Sequence, residues 1–403
     1  MEALPLLCPS RTRAGSAGLG TLDAGGNTVT GSSTPVTLSI TTPAGATLLC
    51  AVNPVTAGSG VASFAGCAID KAGTYTLTAT SGALTAAVSN SFTITVGSAT
   101  KLAFTTSPSS STAGTAFGTQ PVVSVQDAGG NTVTGSAASV TLTITAAGGA
   151  TLTCSANPVN ASSGVATFAG CNIDKAGTYT LTAASSGLTS ATSTSLTITP
   201  GAATKLVFTT SPSNSTGGIA FGTQPVLTVQ DAAGNTVTSS TAPVTLSISG
   251  AALTCTANPS SASSGVSTFA GCNIDKAGTY TLTAASSGLT SAVSSSVTIT
   301  VGSAAKLGTT SLSNGVINTN FGTQPVVAVQ DAGGNTMSTS SVAVTLTITT
   351  PAGATLTCSS NQRNASSGVA SFYSCKINTA GSYTLTATAS GLTNAVSNNF
   401  TIS

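Results

Sequence analysis

Histidine and tryptophan are absent from this chain of 403 residues, and only 4% of it is Asp, Glu, Lys or Arg, against roughly 25% in an ordinary soluble domain. Each absence removes a class of function. Without His there is no Ser-His-Asp triad, no Cys-His pair and no His-ligated metal. Ten basic residues against eight acidic ones leave a net charge of +2. No basic cluster exists to hold a phosphate backbone, which excludes nucleic acid as a partner. Long apolar runs are missing too. Gly, Ser, Thr or Pro interrupts every one, so none approaches the ~18 residues of a membrane helix, and no membrane insertion is expected in this segment. The apolar fraction is still 40%. It is regularly patterned, so low charge does not mean disorder.

What is present is repetition. Gln120-Pro121-Val122-Val123-Ser124-Val125-Gln126-Asp127 recurs at Gln224–Asp231 and Gln324–Asp331. Cys50, Cys154, Cys255 and Cys358 follow one another at 104, 101 and 103 residues. That period is too long for a solenoid unit and matches one independent domain. The expected division is a non-repeat leader at 1–19, an incomplete domain at 20–97, and full domains at 98–200, 201–301 and 302–403. Joins such as Val96-Gly97-Ser98-Ala99-Thr100 are short enough to permit bending but not free tumbling.

Within a repeat the apolar period is two. Val140, Leu142 and Ile144 alternate with Thr141, Thr143 and Thr145, the pattern of half-buried strands with a Thr-rich outer face. Turn residues separate the runs, as in Asp127-Ala128-Gly129-Gly130-Asn131 and Ser162-Ser163-Gly164. The second repeat reads as strands A (101–106), B (121–126), C (140–145), D (153–159), E (165–171), F (178–183) and G (194–199). Seven strands in about 100 residues predict an all-β fold of tandem immunoglobulin-like sandwiches arranged end to end.

Eight of the nine cysteines form pairs 17 residues apart: Cys50/Cys67, Cys154/Cys171, Cys255/Cys272 and Cys358/Cys375. With Ala161–Gly164 as a four-residue loop, Asn160 faces Val165, Asn157 faces Phe168, and Cys154 lies opposite Cys171. Cross-strand neighbours are close enough for a disulfide. Pro158 is then tolerated if D is a sheet edge. Each staple closes an ~18-residue loop, worth roughly 3 kcal/mol. Neither CxxC spacing nor His points to redox or metal chemistry. Four disulfides imply an oxidising compartment and hence export.

Asp127-Ala128-Gly129-Gly130-Asn131, Gly164-Val165-Ala166-Thr167-Phe168 and Ile173-Asp174-Lys175-Ala176-Gly177-Thr178-Tyr179-Thr180-Leu181 together resemble bacterial Ig-like domains. The type is that of invasin- and intimin-like surface adhesins and other large secreted repeat proteins. The resemblance covers residues 20–403 and implies a tandem Ig-like stalk at a cell surface. Tyr75, Tyr179, Tyr280 and Tyr383 stand at the position of a tyrosine corner, whose hydroxyl bonds backbone a few residues upstream. Leu77, Leu181, Leu282 and Leu385 replace the Cys that antibody domains place two residues later. The core Trp is missing as well, which sets the chain apart from antibody-type domains.

The segment equivalent to strand A and most of B is missing before Asp23. Glu2 stands where a signal peptide needs positive charge, and the apolar stretch Leu4–Leu7 is short. The expectation is a fragment of a longer gene product or a misplaced start, with Cys8 an odd thiol in the leader.

The few ionisable groups can be taken one by one. Within a repeat, the Asp that ends B and the Asp of the E–F loop lie at opposite poles, on the order of 30 Å apart, too far for a glycosidase pair. Across a junction the same geometry brings loops together. Asp174 and Lys175 approach Asp231 and Asn235; Asp275 and Lys276 approach Asp331 and Asn335. Three readings stay open: hydrogen bonding within each Asp–Asn turn, a Lys–Asp contact that limits bending, and a Ca²⁺ site of two Asp, Asn and carbonyls. Two carboxylates are thin for Ca²⁺, and Lys opposes a cation. The Thr ladders read as ordinary solvent faces rather than an ice-binding plane, because sandwich sheets twist. The sequons at Asn160, Asn214 and Asn364 are at chance level in so Ser/Thr-rich a chain.

The function expected is a non-enzymatic extracellular stalk without cofactor, on the order of 140 Å long. Host-cell or matrix protein or glycan would be engaged through domains outside this segment. The alternatives are a glycan- or protein-binding module, or an accessory region of a larger secreted hydrolase.

Overall fold

A computed structural model describes residues 17–350 and 353–403. Residues 1–16, with Cys8 and most of the predicted leader, lie outside it. Among the described residues there is no helix, so none is long and apolar enough to cross a membrane. The chain forms two compact units, one ending at Thr199 and the other beginning at Pro200.

In the first unit, the second repeat is a two-layer sandwich. One sheet has the order A–B–E, from Lys101–Thr106, Val122–Gln126 and Val165–Thr167, all antiparallel. The facing layer is built on C (Ser139–Ile144) and F (Gly177–Tyr179 and Leu181–Ala184). G follows as Ala191–Thr192 and Leu196–Thr199. A short segment, Ser111–Thr112, runs parallel to the end of G. This A–B–E and C–F–G division is an Ig-like strand order. The alternation explains it: Val140 and Leu142 are buried while Thr141 and Thr143 are exposed. Val123, Val125, Phe168, Ile173, Leu181, Leu196 and Ile198 fill the space between the layers. In the first repeat Val36, Leu38, Phe64 and Leu77 form a separate core. The second unit holds two further cores of the same kind, one around Leu227, Val244 and Val297, the other around Val327, Val344 and Phe400.

Two expectations need correction. Strand D is not one continuous edge strand through Thr153–Val159. Leu152–Thr153 pairs with Asn172–Ile173, and Val159–Asn160 crosses to pair with Ser139–Val140 of strand C. E is correspondingly short. The Asn157-Pro158 peptide, which is cis, lies at this crossover, so Pro158 is not on a D edge. The cause is a side chain imitating backbone. Leu142 N donates to Asn157 Oδ1 at 2.9 Å, and Asn157 Nδ2 donates to Leu142 O at 2.8 Å. Strand C is thereby satisfied at the point where D leaves the ladder. The same exchange joins Asn53 to Leu38 and Asn258 to Leu246.

The second correction concerns the start. Ala17–Gly20, of which Ala17–Leu19 fall in the predicted non-repeat leader, pair with Val61–Phe64 as strand B of the first repeat. Ladder bonds come from backbone and ask little of the side chains. Leu19 packs against the first core.

Candidate functional site

The chemistry-bearing residues gather in the loop after strand B. In the second repeat Asp127 is 2% exposed. Its carboxylate accepts from Asn131 N at 2.9 Å, from Asn131 Nδ2 at 3.0 and 3.1 Å, and from the linker amide Gly97 N at 2.8 Å. Burial pushes this carboxyl up, but the Asn131 side chain and the amides of Asn131, Gly97 and Gly129 outweigh it and hold the pKa at about 2. Asp331 repeats the cage with Asn335 and Gly302, and Asp231 with Asn235 and Gly201. In both, the same balance leaves the carboxyl below its ordinary range. Asp23 of the first repeat makes the turn with Gly25 and Asn27 but is exposed.

The caged asparagine does a second job. Within the first unit, Asn131 Nδ2 also donates to Asp70 O at 2.8 Å, and Ala72 N donates to Asn131 Oδ1 at 2.9 Å. One amide therefore binds its own turn and the E–F loop of the preceding repeat. Within the second unit, Asn335 Nδ2 donates to Asp275 O at 2.7 Å and Ala277 N to Asn335 Oδ1 at 2.8 Å. Gly333 N adds a bond to Gly217 O at 3.0 Å. The approach is close enough to require glycine: a Cβ on Gly129 would collide with Asp70 O, and one on Gly333 with Asp275 O.

The predicted meeting of Asp275 with Asp331 and Asn335 is thus made through the Asp275 carbonyl. The Asp275 carboxylate faces its own repeat and accepts from Ala252 N at 2.8 Å. Asp70 and Asp174 do the same for Thr47 N and Thr151 N. Asn378 accepts from Thr355 N at 2.8 Å, so an amide serves there as well as a carboxylate. With the Asp331 oxygens occupied by N–H donors, few are left for a cation, and no group of three or more acidic, His or Cys side chains stands at metal-binding range among the described residues. Millimolar Ca²⁺ is accordingly expected to leave the melting temperature of the chain unchanged; a rise of several degrees in a calorimetric titration would establish the metal site instead.

The cage makes an acid prediction. The pKa of Asp127 lies below its ordinary 3.8, so its contribution to folding is complete above about pH 4 and is lost as pH falls through about 2, on the order of 2 kcal/mol. Asp127→Asn should flatten the acid limb of the stability curve of the second repeat. An unchanged limb in hydrogen exchange between pH 4 and pH 2 would show that the cage does not carry the charge.

The structure joins Cys50 to Cys67, Cys154 to Cys171, Cys255 to Cys272 and Cys358 to Cys375. Tyr179 Oη donates to Ala176 O and Tyr280 Oη to Ala277 O, each at 3.4 Å, and Tyr383 Oη to Thr379 O at 3.0 Å. Tyr75 is buried in the first core. Sequence reasoning missed two polar devices. One is the Asn157 pairing. The other is Gln120, which accepts from Cys171 N at 2.8 Å and donates to Phe117 O at 2.7 Å. The available signal was recurrence: the same amide residue stands at the same place in successive repeats.

No protein-family model and no curated protein sequence matches the chain. Similar solved structures include the Escherichia coli adhesin FdeC, at 17% identity and a TM-score of 0.30, covering 77% of this chain and all of that one. The D0–D1 domain of intimin has 17% identity and a TM-score of 0.21, covering 50% of this chain and 98% of that one. A glycosyl hydrolase family 2 member from Bacteroides cellulosilyticus has 13% identity and a TM-score of 0.23; the match covers 45% of this chain and 23% of the hydrolase. Likenesses at these scores carry no functional argument. The strand order by itself defines a tandem Ig-like β-sandwich protein.

Proposed function

We propose that the chain is a non-enzymatic spacer of a secreted or cell-surface bacterial protein of adhesin type, each repeat of about 100 residues being one Ig-like domain. The observation that carries this is the junction. Within each unit a buried Asp–Asn cage holds the linker amide and, through the same asparagine, the loop of the preceding repeat. A spacer needs such stiffness between repeats, and the four disulfides suit an oxidising exterior. Asn131→Ala removes the shared amide at a cost of about 1.4 kcal/mol, so thermolysin should cut the linker at residues 96–100 roughly tenfold faster in the full chain. An unchanged rate means that the cage does not stiffen the join. Antibody labelling of intact producing cells and of their medium tests location; protein confined to the cytosol with free thiols would overturn the surface reading.

A further inference from the structure

One hairpin of the fourth repeat departs from its three counterparts. Where the earlier repeats carry Ala65, Ala169 and Ala270, the fourth has Tyr373. Val55, Val159 and Ser260 give way to Arg363, the prolines before them to Gln362, and Ala68, Asn172 and Asn273 to Lys376. In a chain with 4% charged residues, these changes fall on one hairpin, and two of them, Arg363 and Tyr373, meet. Arg363 is the one arginine among the described residues, and Tyr373 the one tyrosine that is not at a corner position.

The side chains are placed by rigid parts. Arg363 pairs with Val344 of strand C. The Tyr373 carbonyl accepts from Ser359 N at 2.9 Å and Ser359 Oγ at 2.8 Å, and the Cys358–Cys375 bond closes the hairpin. The Arg363 guanidinium carbon lies 5.1 Å from the Tyr373 ring centroid, a cation–π distance, and the ring remains 53% exposed. The surrounding charge is one-sided. The fourth repeat has a single acid, Asp331, which is 0% exposed inside its cage. Its E–F loop has Asn378 where the others have Asp. Among the described residues, Arg363 and Lys376 therefore have no exposed side-chain carboxylate in their own repeat to neutralise them.

We propose that this hairpin is a binding site for an acidic saccharide, a chain of uronic-acid units, a property beyond the spacer reading. The open part of the Tyr373 ring offers a flat apolar platform for a pyranose face. The planar Arg363 fork matches a carboxylate bidentately, and Lys376 adds charge on the same hairpin. A ligand read by charge alone would have no use for the tyrosine.

The test is calorimetric titration of the full chain with hexagalacturonate, with a neutral cello-oligosaccharide of equal length and hexaglutamate as comparators. Saturable binding of the uronate alone is expected, weakening with salt. Tyr373→Ala and Arg363→Val install residues that the second repeat carries at these positions, so both variants should fold, with unchanged melting, while losing about tenfold or more in affinity. Arg363→Lys keeps the charge without the fork and should fall between. No saturable binding at millimolar uronate, equal binding of hexaglutamate or of the neutral sugar, or variants that bind like the parent would each overturn the proposal.

Discussion

Asn157→Ala is expected to destabilise the second repeat by about 2 kcal/mol, because it leaves the N–H and C=O of Leu142 in strand C without their amide partner in a partly buried place. Hydrogen exchange should report it as loss of protection at the Leu142 amide. Asn157→Asp should recover little, since a carboxylate can accept from Leu142 N but cannot donate to Leu142 O. The fourth repeat supplies the control. There Gln362 follows the asparagine, and Leu346 N donates to the backbone carbonyl of Asn361 at 2.9 Å. Asn361→Ala should therefore leave the Leu346 amide protected. Equal losses at both amides would mean that the side-chain pairing is incidental to the broken D strand.

Replacing Cys154 and Cys171 together by alanine should cost the second repeat about 3 kcal/mol, the loop-closure value for a cysteine separation of 17. Cys171 is fully buried in the core, so part of any further loss reports packing rather than cross-linking. Comparing the double variant with the reduced parent separates the two. Reduction opens the loop and leaves both sulfurs in place. A parent whose melting temperature ignores reductant would show that the hairpin is held without its bond.

The hairpin register was legible because it is arithmetic. The register that sets Cys154 opposite Cys171 also sets Leu152 opposite Ile173 and Thr153 opposite Asn172, as the structure has them. The turn itself departs from the expected four-residue loop: Ser162 bridges Val165 around Ser163-Gly164, and Asn160 faces Ser139 of strand C, not Val165. The alternation of Val140 and Leu142 with threonines disclosed the layers for a similar local reason. The break in D was not legible. It depends on a side chain at position 157 reaching a backbone position 15 residues earlier, and no periodicity registers that. Strand B of the first repeat was hidden for the opposite reason, since Ala17–Gly20 keep the ladder without keeping the side chains. At the junctions, strand order located the loops at a shared pole. It could not say that Asp275 would turn its carbonyl, and not its carboxylate, toward Asn335.

The short reach of each staple has a consequence for a chain drawn taut by its ends. A repeat that gives way releases its length except for the stretch between its two cysteines, 17 residues apart. That stretch amounts to about 60 Å of extended polypeptide. Every rupture step in a pulling trace should therefore be shorter by that amount than the repeat length implies, and a reductant should give it back. The residues withheld are those of the hairpin that carries Arg363 and Tyr373 in the fourth repeat, so that surface would keep its covalent loop even when the sandwich around it has been torn open.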